Sequence, residues 1–185
     1  MNDLDALTGD GDCGSTVKLG AQAVLKVVAN SEARTYSELI FDIALILEEE
    51  MGGSSGSLLS ILFTAIAAQI KLADESSSFL TISKSLKSGI NEMMLVGRAQ
   101  PGDRTMLDAL IPAQAAIESN ADDPTLALKC AAEAAEKGSK LTATMKAKAG
   151  RAAYCKDRNQ EKSPDAGAVM VAKVFSAIYS FSNST

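Results

Sequence analysis

Apolar residues recur every three or four positions along most of this chain. The clearest stripes run from Val17 to Val28, Tyr36 to Leu47, Phe79 to Met93, Met106 to Ile117 and Ala168 to Tyr179. This spacing is that of amphipathic helices, and no segment shows the strict alternation of a half-buried strand. The pattern therefore predicts an all-α protein.

Two further segments are helical for other reasons. Residues 54–72 are apolar on nearly every side, which is typical of a helix surrounded by other helices. The alanine-rich stretch from Leu126 to Lys137 has high helix propensity. Thr35, followed three residues later by Glu38, has the pattern of a capping box at the start of the second stripe.

Length and composition favour one packed domain over residues 1–185. Hydrophobic residues make up 46% of the chain, enough for a sizeable core. Aromatic residues are only 4%, tryptophan is absent and alanine is abundant. Small side chains of this kind predict closely packed helices.

Charge and residue usage exclude several classes of protein. The net charge of −5 and the pI of about 4.8 argue against a nucleic-acid-binding protein, which needs a basic face. The acidic start is unlike a signal peptide, and the most apolar run, Leu58 to Ala68, is too short to span a bilayer. We therefore expect a cytoplasmic protein without a membrane segment. The three cysteines lack metal-site spacing, and the absence of histidine excludes any mechanism that needs an imidazole from this chain.

The stretch LDALTGDGDCGST contains three carboxylates, Asp5, Asp10 and Asp12, and no basic residue lies among the first sixteen positions. Carboxylate oxygens are the usual protein ligands of hard divalent cations. Spacings of five and two cannot lie on one face of a regular helix. The three can converge if Asp5 ends a helix and Gly9 and Gly11 allow a tight loop. An acidic, solvated turn is the alternative.

Gly/Ser-rich residues 51–56, MGGSSG, separate an amphipathic helix from a buried one. Exposed N–H groups at a helix start attract phosphate, and glycines allow the backbone to approach it closely. Ser54 or Ser55 is a candidate cap of the following helix. An ordinary connector is the alternative, and the Gly-Lys-Ser/Thr ending of a Walker A loop is missing.

Two later loops contain arginine. In PGDRTMLDAL, Asp103 is a candidate N-cap, while Arg104 either faces a phosphate or is solvated. In AGRAAY, Arg151 lies in a loop of small residues that continues to Pro164. A loop of this length is either a lid over a site or a surface loop. Together, carboxylates, a glycine loop and two arginines indicate Mg-nucleotide chemistry.

These four motifs, in this order, resemble the ATP-binding domain of dihydroxyacetone kinases. The similarity is greatest to the C-terminal half of the ATP-dependent, two-domain enzymes, which include animal triokinase/FMN cyclase, and it covers essentially the whole chain. The resemblance implies an antiparallel barrel of eight helices with nucleotide bound at one end. It also implies an ATP-dependent kinase of glycerol metabolism.

The resemblance implies a role for each motif. Asp5, Asp10 and Asp12 would hold two Mg²⁺ ions that bridge the phosphates of ATP or ADP. Arg151, on the lid, would be the catalytic residue. The other implied nucleotide contacts are Cys13, Gly14, Ser15, Thr16, Ser54, Ser55, Gly97, Thr105, Met106, Asp165, Ala166 and Gly167.

The chain departs from the family in three respects. The family reads Asp-Pro-Gly where this chain has Asp165-Ala166-Gly167. The family also has a helix before the first aspartate, but here only four residues precede Asp5, so that helix is absent or the sequence begins after it. In the family, a histidine on a separate domain holds the ketone substrate covalently, and this chain has no histidine.

The missing histidine predicts a phosphoryl-donating domain that is inactive without its substrate-binding domain. That partner would lie upstream in the same chain or on a separate subunit, and it would hold a small ketose. The alternatives are a related kinase with another acceptor, FMN cyclase activity, or an ADP/ATP-sensing partner of a regulator. Self-association as a homodimer stays open.

Overall fold

The computed structural model of the protein describes residues 1–7, 9–30, 35–75, 78–154 and 163–184. The described ranges are helical and contain no strand, which confirms the all-α prediction. The α-helices are α1 (Asn2–Asp5), α2 (Cys13–Asn30), α3 (Tyr36–Ile46), α4 (Gly53–Leu72), α5 (Phe79–Gly97), α6 (Leu107–Ser119), α7 (Pro124–Leu141) and α8 (Ala166–Ser182). A π-helical turn over Leu47–Met51 continues α3, and a 3₁₀ turn over Thr142–Thr144 follows α7.

The chain divides into two compact units. The first comprises Met1–Gly14 and Arg98–Thr185, and the second comprises Ser15–Gly97. The first unit is therefore discontinuous along the chain, because all of its second segment follows the second unit.

The first unit packs α7 against both α6 and α8, while α6 and the short α1 also contact α8. Its core is built largely from alanine, which lets helix backbones approach closely. At the crossing of α6 and α7, a Cβ on Gly138 would overlap the backbone carbonyl of Asp108. The fully buried alanines of this unit are Ala109, Ala113, Ala127, Ala131, Ala135 and Ala168.

The second unit packs α4 against α3 and α5. The predicted capping box is confirmed, because the Thr35 side chain accepts from the N–H of Glu38 while the Glu38 carboxylate accepts from the N–H of Thr35. At 20 residues and a mean hydropathy of 1.4, α4 is long and apolar enough to cross a membrane by length and composition alone. Only 28% of its most apolar 18-residue window is buried, although α3 and α5 pack against it. Within the described residues, the expectation that this helix is surrounded on nearly every side is therefore wrong.

Candidate metal and nucleotide site

Three carboxylates converge at the start of the chain. Asp5 is the last residue of α1, as the sequence predicted for a convergent cluster. Each of Asp5, Asp10 and Asp12 offers an oxygen within 4.8 Å of the others. Asp5 Oδ2 also accepts hydrogen bonds from the backbone N–H groups of Asp12, at 3.0 Å, and Cys13, at 3.1 Å. The Asp5 side chain thus fixes the end of the loop at the point where α2 begins.

Glycines make this tight loop possible. A Cβ on Gly9 would overlap Asp5 Oδ1, so any larger residue would displace that carboxylate. Gly11 has φ of +77°, a left-handed conformation that L side chains rarely adopt. Both glycines are therefore required by the arrangement of the three aspartates.

The donor set fits a hard divalent cation. Opposite ligand oxygens of one octahedral Mg²⁺ ion lie about 4.2 Å apart, twice the Mg–O distance. At most one pair among three ligands can be opposite, and adjacent ligand oxygens lie only about 3.0 Å apart. The three oxygens, within 4.8 Å of one another, must therefore move closer together to bind one ion, or they can be shared between two. Asp10 and Asp12 are exposed and Asp5 is partly buried, so a ligand can reach the cluster from solvent.

Cys13 adjoins this cluster but has the properties of a neutral thiol. Burial raises the pKa of Cys13 to about 11, and the negative charges of Asp5, Asp165 and Asp12 add to this effect. At neutral pH the sulfur is therefore protonated, which makes it a poor nucleophile. In the same unit, α1, which ends at Asp5, packs against α8, whose N-cap is Asp165.

Several predicted nucleotide contacts lie together at the start of α8. Asp165 is the N-cap of α8, and its Oδ2 accepts from the N–H of Ala168 at 2.8 Å. A Cβ on Gly167 would lie 3.4 Å from the Cβ of Met106, so these two residues are in contact distance. The structure thus places Asp165 and Gly167 in the same unit as Cys13 and Met106, with Gly167 beside Met106.

The turn before α6 differs from the prediction at two residues. Asp103 is not the N-cap of α6, because Met106 occupies that position. Arg104 is not solvated, because only 1% of its surface is exposed, and its Nη2 donates to the Ser163 carbonyl at 2.9 Å. Instead, the Asp108 carboxylate organises the turn by accepting from the N–H groups of Gly102 and Thr105.

The residues missed from the sequence are Asp108, Thr142 and Ser163. For Asp108 a signal existed, because Thr105 followed three residues later by an acid resembles a capping box, and Asp108 Oδ2 accepts from the N–H of Thr105 at 2.8 Å. Thr142 accepts from the N–H of Asp165 at 2.8 Å, across 23 positions of the chain. No local pattern identifies a contact over that separation.

The remaining predicted contacts belong to the second unit. Neither Ser54 nor Ser55 caps α4, because the helix begins earlier, at Gly53, with Gly52 as its N-cap. Both glycines have φ of +61°. The N-cap of α4 makes no side-chain hydrogen bond, and no acidic residue lies in its first turn. Ser15 and Thr16 lie in α2, and Gly97 is the last residue of α5.

The lid prediction falls partly outside the described residues. Arg151 begins a 3₁₀ turn, Arg151–Tyr154, but its side chain and residues 155–162 lie outside what the structure describes. The catalytic assignment of Arg151 and the lid therefore stay predictions.

Comparisons with known proteins match the chain to one family model and to named kinases. The family model described as the DAK2 domain matches residues 7–180. The chain is 36% identical over 182 residues to triokinase/FMN cyclase of Homo sapiens, covering 96% of this chain and 31% of that protein. It is 37% identical over 188 residues to the putative 3,4-dihydroxy-2-butanone kinase of Solanum lycopersicum, with the same coverages.

A solved structure is similar over nearly the whole chain. The crystal structure of the dihydroxyacetone kinase from C. freundii in complex with AMP-PNP and Mg²⁺ has a TM-score of 0.75 and 31% identity, covering 97% of this chain and 30% of that one. This chain thus spans about 31% of the length of the curated relatives that it matches.

Proposed function

The chain belongs to the DAK2 domain family, and we propose that it is the ATP-binding, phosphoryl-donating domain of a dihydroxyacetone (glycerone) kinase. One observation carries the proposal. Asp5, Asp10 and Asp12 bring carboxylate oxygens within 4.8 Å of one another in a chain whose structural relative binds AMP-PNP and Mg²⁺. An acidic cluster of this kind would repel a triphosphate that carries no metal ion.

In this proposal, Asp5, Asp10 and Asp12 hold two Mg²⁺ ions. Bound Mg²⁺ neutralises charge on the nucleotide phosphates and on the transferring phosphoryl group. Asp5 has a second task, because its hydrogen bonds to the N–H groups of Asp12 and Cys13 keep the loop closed. The ligand oxygens are thereby positioned before the nucleotide arrives, which lowers the entropic cost of binding.

The chain's other residues bind and orient the nucleotide. Thr105, Met106 and the Asp165–Gly167 segment lie in the first unit with the aspartates and are proposed contacts there, as are Cys13 and Gly14. Ser15, Thr16, Ser54, Ser55 and Gly97 are proposed on the strength of the family resemblance. For the start of α4, the lack of a side-chain cap supports this, because its N–H groups can donate to phosphate.

Arg151 is the proposed catalytic residue, stabilising negative charge that develops on the transferring group. The acceptor is a small ketose held on a separate domain. Two facts support that division: the relatives are about three times as long as this chain, and the chain contains no histidine that could capture a ketone covalently. Transfer needs the acceptor oxygen in line with the leaving group, so a domain that lacks the acceptor site should not turn over.

The test is phosphoryl transfer to dihydroxyacetone by the purified 185-residue chain, with and without a substrate-binding domain of a relative. We expect Mg-ATP binding without turnover for the chain alone, and turnover once the partner is added. The matched negative control is Asp10→Asn with the partner present. Robust formation of dihydroxyacetone phosphate by the chain alone would show that this division of labour is wrong.

The names of two relatives favour two alternative activities. The human relative is named triokinase/FMN cyclase, and the tomato relative is named a putative 3,4-dihydroxy-2-butanone kinase. FMN cyclase activity and phosphoryl transfer to another ketose, with 3,4-dihydroxy-2-butanone as the acceptor, are therefore the alternatives to assay. A chain that binds Mg-ATP but supports none of these reactions with its partner would instead fit a nucleotide sensor.

A further inference from the structure

Arg104 is a buried cation in an unusual conformation. Only 1% of its surface is exposed, and its backbone adopts a φ of +62°, rare for a residue with a side chain. Nη2 donates to the Ser163 carbonyl at 2.9 Å, whereas Nε and Nη1 have no partner among the described residues. Burying a charge with so few hydrogen bonds is costly, so stability alone does not account for an arginine here.

The contact partner of Arg104 leads directly into the start of α8. Two residues after Ser163, Asp165 donates its N–H to the buried Thr142 hydroxyl and caps α8 through the N–H of Ala168. Burial raises the pKa of Asp165, and the positive charge of Arg104 opposes that rise. Arg104 therefore interacts with this segment in two ways. It donates a hydrogen bond to the Ser163 carbonyl, and its positive charge favours the charged form of the Asp165 carboxylate.

The turn that carries Arg104 is itself firmly held. The Asp108 carboxylate accepts from the N–H groups of Gly102 and Thr105, on either side of Arg104. The preceding residue, Asp103, accepts from the N–H of Lys148 at 3.1 Å through its carbonyl. Hydrogen bonds thus connect this turn to Lys148 and to Ser163. Because the turn is held in place, its bond to Ser163 can fix the position of the residues that follow Ser163.

We propose that Arg104 is a positioning residue of the nucleotide site: its buried guanidinium holds Ser163, and thereby the Asp165–Gly167 start of α8, in the arrangement that binds Mg-nucleotide. The proposal rests on the proposed function in so far as Asp165–Gly167 contact the nucleotide. Arg104 itself touches no reacting atom, because it is enclosed by protein.

The experiment compares Arg104→Met, which removes the donors and the charge, with Arg104→Lys, which keeps a charged donor. Arg98→Met is the matched control, because Arg98 also has positive φ, at 56°, but is exposed. We expect Arg104→Met to weaken Mg-AMP-PNP binding at least tenfold by calorimetry, Arg104→Lys to stay within about threefold of wild type, and Arg98→Met to be unchanged.

Amide hydrogen exchange without nucleotide tests the positioning step separately. In Arg104→Met, the N–H groups of Ala168 and Val169 should exchange at least tenfold faster, while those of α3 to α5 keep their protection. Exchange that rises equally in both units, or wild-type affinity in Arg104→Met, would overturn the proposal. If wild type itself fails to bind Mg-AMP-PNP, the proposed function is wrong, and the exchange comparison still decides whether Arg104 holds α8.

Should Arg104→Met fail to fold, wild-type NMR carries the test. The Arg104 Nε–H resonance, identified by its loss in Arg104→Lys, should shift when Mg-AMP-PNP is added, and that of Arg98 should not. An Arg104 resonance that stays unmoved at saturating nucleotide would show that this guanidinium does not report on the site, contrary to the proposal.

Discussion

Replacing Asp10 by asparagine should stabilise the nucleotide-free protein and weaken its binding of Mg-nucleotide. The two effects have one cause, because Asp10 lies within 4.8 Å of the carboxylate oxygens of both Asp5 and Asp12. At that distance in water, each pair of charges repels by ~0.9 kcal/mol. Screening at physiological salt reduces the two pairs together to roughly 1 kcal/mol. For a chain of this size, that corresponds to a melting temperature higher by about 2–4 °C.

The effect of Asp10→Asn is unfavourable when the ligand is present, because the substitution weakens binding. Asparagine keeps the shape of the side chain but removes one anionic oxygen ligand, so we expect the Kd for Mg-AMP-PNP to rise at least tenfold, or about 1.4 kcal/mol. The assay is thermal unfolding in EDTA at low and high salt, with calorimetry of Mg-AMP-PNP binding. The stabilisation should fall to roughly a third of this value near 1 M salt, where the Debye length is about 3 Å.

Asp122→Asn is the control, because Asp122 is an exposed aspartate far along the chain from the acidic loop. It removes the same charge and should alter neither measurement. Asp10→Asn with wild-type affinity for Mg-AMP-PNP would refute the metal assignment. An unchanged melting temperature of this variant in EDTA would refute the repulsion on which the magnitude rests.

Two further substitutions test the loop and the start of α8. Gly9→Ala places a Cβ on Asp5 Oδ1 and should weaken Mg-AMP-PNP binding several-fold in calorimetry; unaltered affinity would mean that the Asp5 carboxylate is free to move without consequence. Burial raises the pKa of Asp165, so the folded chain holds that proton more tightly than the unfolded chain, and stability falls as pH rises from about 4 through the raised pKa. Asp165→Asn keeps a capping side chain. It should remove the contribution of Asp165 to this decrease in the free energy of unfolding with pH, measured by urea unfolding. The same pH dependence in wild type and variant would contradict the prediction.

The features that could be predicted from the sequence are those determined within a few residues. The capping box needs only Thr35 and Glu38, three positions apart, and it forms as expected. The convergence of the aspartates needed a helix end at Asp5 and a glycine-rich loop, and both are present.

The features that were missed depend on competition between groups or on distant partners. Asp103 is a suitable cap by residue type, but the N–H groups of Gly102 and Thr105 donate to the carboxylate of Asp108, which lies in α6. The burial of Arg104 depends on Ser163, 59 positions away, and no local pattern shows that. Ser54 and Ser55 were suitable caps by residue type, yet paired glycines at 52 and 53 begin α4 earlier.

The discontinuity of the first unit has a consequence for protein synthesis. Asp5 leaves the ribosome about 160 residues before Asp165, which at roughly 5–20 residues per second is a delay of about 8–30 s. During that delay the second unit, a continuous stretch from Ser15 to Gly97, can form its own contacts, whereas α1 still lacks α8. The acidic loop is thus translated early, but the unit that contains it is complete only after α8 has been translated. If the protein folds during translation, it can bind Mg-nucleotide only after α8 has left the ribosome.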